Sequence, residues 1–85
     1  MEVLEKIIEN YPEDTFRKMD GFDGAIIGVD EDTHCLVYDK NKIIAILTKD
    51  NLEWSEFDVI EWYEFNVVRS VRGRLGYPKI IEVWK

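Results

Sequence analysis

Asp30, Asp32 and His34 stand two residues apart near the end of the run DGFDGAIIGVDEDTHC, and two carboxylates with an imidazole can gather a divalent transition metal. Cys35 follows directly, so the chain's one thiol and its one imidazole are sequence neighbours, as a nucleophile and its base would need to be in space. Glu61 and Glu64 lie one helical turn apart, a pairing of carboxylates that suits proton transfer. Arg69, Arg72 and Arg74, with Lys79 beyond them, form the only basic cluster and could hold a phosphate or carboxylate.

Against each of these stands a plainer reading. A tight metal site wants more ligands and a rigid second shell, whereas charged residues at a hairpin tip are ordinary. A calcium loop fails in both registers. Counted from Asp20, positions three and five are Phe22 and Gly24; counted from Asp30, Cys35 stands where glycine belongs. Asp20-Gly21 and Asp23-Gly24 are then turn pairs. Neighbouring residues on a strand point to opposite faces, which separates Cys35 from His34. Glu64 falls near an apolar helix stripe, where burial would raise its pKa, but pairing with an Arg or reaching the surface explains it as well. The Arg cluster sits at a helix end that favours cations, and Gly73-Arg74-Leu75-Gly76 lacks the spacing of a phosphate loop. No catalytic residue, metal or cofactor is expected.

The elements that position these groups follow from periodicity. Val3, Leu4, Ile7, Ile8 and Tyr11 recur at helical spacing and predict a helix over about Val3–Asn10. Pro12-Glu13-Asp14 reads as the first turn of a second helix reaching about Met19. Ala25–Val29 and Cys35–Tyr38 are short apolar runs around the polar link Asp30–Thr33, the pattern of an antiparallel hairpin. Gly28 within the first run signals a bulge, or a large side chain lying across the strand. Lys42–Leu47 stays open between strand, for its isoleucines, and helix, for Asp39 as N-cap. Ser55 and Asp58 form a capping-box variant with Trp54 and Val59 as its staple, opening a helix to about Val71 or Arg72 that Gly73 closes. Ile60, Tyr63, Val67 and Val71, flanked by Phe57 and Val68, form the stripe that should cover the hairpin. Lys79–Trp84 reads as a last strand entered at Pro78. The fold class is α+β: a small antiparallel sheet, hairpin plus C-terminal strand, with helices on one face.

The totals set the frame. Eighty-five residues make one domain, and 46% hydrophobic with 13% aromatic residues supply one core. One cysteine excludes an internal disulfide and fits a reducing compartment. No apolar run is long enough for a bilayer, and MEVLEK has no signal-peptide layout, so the expected location is cytoplasmic, without membrane association. A net charge of −7, with 18 acids against 11 bases, argues against nucleic acid as partner and for basic proteins.

Trp54, Trp62 and Phe65 do not join the apolar stripe. Trp62 and Phe65 mix instead with Asp58 and Glu61 on the other side of the helix. Small domains seldom leave such rings to solvent, so either another element or a partner covers them.

The blocks DGFDGAIIGVD, LVYD, KIIAIL and EWYEFNV together resemble a group of small, mostly uncharacterised proteins encoded by bacteriophages and prophages. Their pattern runs DGxDDAIIG(V/I)D, LVYD, KxIxIL, then a block ending in FEFNV, and the likeness covers Asp20 to Pro78. Gly24 departs from the second Asp of that pattern, and Arg69-Ser70-Val71-Arg72 replaces a Gly-Ala-Tyr-Val segment. The resemblance implies a phage or prophage origin, the cytosol of a bacterial host, and a helix over Lys42–Leu47; it carries no activity, cofactor or catalytic residue. The expected function is a non-catalytic acidic binding protein that engages a host protein, for instance to modulate host defence or host enzymes. Its surface would be Trp62, Phe65, Asp58 and Glu61, with Asp30 and Asp32 at the hairpin tip. The alternative is a small-ligand or nucleotide binder using Arg69, Arg72 and Arg74, with a homodimer as one way to complete the site.

Overall fold

The computed structural model describes residues 3–11, 16–73 and 76–84. Helix α1 (Val3–Asn10) spans the residues its periodicity predicts and turns Ile7 inward. The Asn10 side-chain amide donates to the Lys6 carbonyl at 2.8 Å, satisfying one of the last carbonyls. The helix expected over Pro12–Met19 is not found in its described part: 16–19 are non-helical, and 12–15 lie outside the described residues. Tertiary contacts win over local propensity there. The Met19 amide donates to the Tyr38 hydroxyl at 2.9 Å, and the Phe16 ring meets Tyr11 edge-on at 6.3 Å.

Gly21, at φ +89°, turns the chain into a single 3₁₀ turn, Asp23–Ala25. Strand β1 (Ile26–Val29) then pairs antiparallel with β2 (Leu36–Asp39), so the hairpin stands as expected. Ile26 lies opposite Tyr38 and Gly28 opposite Val37, which leaves Ile27 as the extra residue of a bulge. A Cβ on Gly28 would meet nothing within 4 Å, so the bulge, and not a side chain lying across the strand, accounts for the signal.

The undecided segment is helical. Helix α2 (Lys40–Asp50) starts directly after β2, with the Asp39 carboxylate accepting from the Asn41 amide at 2.9 Å as its N-cap. Helix α3 (Glu56–Trp62) opens on the full reciprocal capping box: Ser55 Oγ accepts from the Asp58 amide and Asp58 Oδ2 from the Ser55 amide, both at 3.1 Å. The helix continues as a π-helical stretch, Tyr63–Val68, and ends in a short α-helical turn, α4 (Arg69–Val71). Gly73, at φ +73°, closes it as expected.

Strand β3 (Lys79–Ile81) is shorter than the predicted Lys79–Trp84 and runs parallel to β2, with Lys79, Ile80 and Ile81 opposite Val37, Tyr38 and Asp39. The sheet order is β1-β2-β3. The α+β class therefore holds, but the sheet is mixed, not wholly antiparallel. The two helical segments after β2 return the chain to the end at which β2 begins, which is the crossover that a parallel pair requires.

The core gathers Ile26, Leu36, Tyr38, Ile43 and Val59, with Tyr63, Val67 and Val68 from the long helix. Its helical ridge begins at Val59, where Ile60 and Phe57 were expected; Ile60 is 37% exposed and Phe57 71%. No helix of the described residues is long and apolar enough to cross a membrane.

Candidate functional site

The hairpin link is a structural clasp. Asp30 Oδ1 accepts from the amides of Asp32 and Thr33 at 2.8 and 3.1 Å, forming an Asx turn. Its Oδ2 meets Lys79 Nζ at 2.8 Å, which ties the link to β3 across the end of the central strand. The Lys79 hydrogen bond first, then the two amides, hold the Asp30 carboxyl at about 2, below its usual 3.8. Lys79 is raised in turn, first by its hydrogen bond to Asp30. His34 takes φ +54°, its ring edge-on to Tyr11 at 5.6 Å, while Cys35 is buried with its thiol 3.6 Å from the Thr33 carbonyl. Among the described residues no three His, Cys, Asp or Glu side chains are placed to hold a metal ion. Glu61 and Glu64 both reach the surface.

The basic cluster is divided. The Arg69 guanidinium lies over the Phe65 ring, 4.7 Å from its centroid, Arg72 lines a cleft between the long helix and β3, and Arg74 is outside the described residues. Of the anion site expected of Arg69, Arg72 and Arg74, the two described members thus have different neighbours.

The aromatic and acidic residues do come together. Trp54, Asp58, Glu61, Trp62, Phe65 and Asn66 line one open groove of about 360 Å³. Trp54 and Trp62 lie 6.2 Å apart with their rings tilted by 41°. Trp62 is 38% exposed and Phe65 54%, so neither ring is sealed into the core. The groove is positioned from the sequence upward. Ser55 and Asp58 fix the start of α3, Trp54 just before the cap packs partly against the core, and Trp62 and Phe65 follow on the outward side. Asn66, to which the sequence assigned no role, also lines the groove and donates its amide to the Trp62 carbonyl at 3.1 Å. Asp30 and Asp32 are not part of this lining.

A larger cleft, about 700 Å³, opens between the π-helical stretch and β3. Tyr63 and Lys40, both in its lining, form a cation–π pair with the ammonium 5.8 Å from the ring centroid. Lys40 was legible in principle: it opens a helix whose first turn holds no acid, the end where a cation is least favoured.

Comparison with family models, with curated proteins and with solved structures finds no significant match for this chain.

Proposed function

We propose that this chain is a non-catalytic binding protein that takes a basic segment of a host protein into the groove of Trp54, Trp62 and Phe65. One observation carries the reading: three aromatic rings and the Asp58 and Glu61 carboxylates line a single open groove, with Trp62 and Phe65 exposed. Ring faces attract Lys and Arg side chains, by about 0.5–1 kcal/mol each at exposed sites. Carboxylates on the rim steer a basic partner and raise its association rate more than its final affinity. The net charge of −7 acts in the same direction at longer range. The resemblance to phage and prophage proteins supports a bacterial host cytosol as the setting.

The test pairs a basic-peptide array with retention of host proteins from bacterial lysate on the immobilised chain. Binders held by the wild type should be lost with Phe65→Ala and with Glu61→Lys, weakened by added salt, and kept by Ser55→Ala. The far-ultraviolet circular dichroism of the two groove variants should match that of the wild type. Binders that remain after both groove substitutions would overturn the reading.

A further inference from the structure

We infer that the cleft between the π-helical stretch and β3 is a second binding site, for a small organic anion: a carboxylate or phosphate carried on a flat apolar body. The site shares no residue with the aromatic groove and does not depend on it. Its volume of about 700 Å³ lies in the range of small-molecule pockets. Val68, Val71, Ile80 and the ring of Tyr63 supply apolar wall, enough for a planar body to leave water.

The placement of Lys40 and Arg72 argues for an anion. Among the described residues the cleft is lined by Lys40, Arg72 and Lys79 against Glu64 and Glu82, so even with Lys79 set aside bases match acids there, in a chain that has 18 acids and 11 bases. Of the bases, Lys79 is committed to Asp30. Lys40 and Arg72 have no ion-pair partner among the described residues, and they come from separate elements, the start of α2 and the end of the long helix. Lys40 also works against its own helix, since a cation at the first position opposes the macrodipole. A charge kept where it weakens the element that carries it points to work done elsewhere, and Lys40 and Tyr63 meet at the cleft.

The backbone gives a second, independent pointer. Turns closed i to i+5 are rare and recur at functional sites. Here that stretch contributes Tyr63, Glu64 and Val68 to the cleft wall. Closure over five residues brings Tyr63 and Val68, which a regular α-helix would stagger, to one side.

The probe is anilinonaphthalenesulfonate, an anion on a flat apolar body, compared with uncharged N-phenylnaphthylamine and with inorganic phosphate. Binding is read by fluorescence (for phosphate, by calorimetry) and located by amide shifts in NMR spectra of the full chain. Saturable binding at one site is expected, with shifts centred on Tyr63, Val68 and Ile80. Lys40→Gln and Arg72→Gln should each weaken it by about tenfold, the loss of one charge-assisted hydrogen bond, while Arg69→Gln leaves it unchanged. The amine and phosphate should each bind at least about tenfold more weakly, since each lacks one half of the recognition. Lys40→Gln should change the melting temperature little, because the unfavourable charge it removes offsets the cation–π contact it loses, so this variant decides the matter even if Arg72→Gln folds poorly. Equal binding of either comparison compound, no loss in Lys40→Gln, or shifts centred elsewhere would overturn the assignment.

Discussion

At the scale of single residues, the acids of the hairpin link are the instructive case. Their type was plain in the sequence and their use was not, because the partner of Asp30 is Lys79, 49 residues away. Spacing along the chain carries no trace of such a pair. The consequence is a defined pH dependence. Asp30 has a folded pKa below its unfolded one, so its contribution is present above about pH 4 and is lost as pH falls from 3.8 toward about 2. Lys79 is raised above its usual 10.5, so its share is present below that value and is lost as pH rises through the folded one. Tyr38 and Tyr63, raised chiefly by burial, add to the alkaline loss. Denaturant unfolding followed against pH should show the acid limb flattened in Asp30→Asn relative to wild type. Arg69 gives a second prediction at this scale. Its guanidinium covers one face of Phe65 and repels a basic partner, so Arg69→Gln should tighten binding of a basic peptide by about 2- to 5-fold, read by calorimetry.

At the scale of elements, helix ends were more legible than helix faces. Ser55 and Asp58 announce α3 three residues apart, and Asp39 caps α2, because a cap is a local hydrogen bond between near neighbours. Ser55→Ala should lower stability by about 1 kcal/mol in urea unfolding. The buried face is harder to read. Val59, Tyr63, Val67 and Val71 repeat every four residues, and four residues of an α-helix turn about 400°, so a regular helix would carry that ridge steadily round its axis. The wider turns of Tyr63–Val68 take up the drift and keep the ridge on the sheet. A reading based on a constant period therefore places Ile60 and Phe57 inside, where the structure places Val59. Phe57→Ala should change stability by no more than about 0.5 kcal/mol, whereas Ile43→Ala, at a fully buried site on α2, should cost about 2–5 kcal/mol. Urea unfolding of the pair checks the contrast.

At the scale of the whole molecule, the class was legible and the sheet direction was not. Isoleucine and valine runs mark strands, but three residues from Lys79 to Ile81 hold nothing that distinguishes parallel from antiparallel pairing. The direction follows from how the intervening helices return the chain, and the same blindness to tertiary contact explains why 16–19 are not helical. The pairing has a temporal meaning as well. The central strand, Leu36–Asp39, emerges early in synthesis, yet one of its two edges stays bare until Lys79–Ile81 has been made. A nascent chain can close its hairpin before that, but it cannot complete its sheet until Lys79–Ile81 has left the ribosome. Premature termination before Lys79 would thus leave an open β-edge, a template for association with other chains.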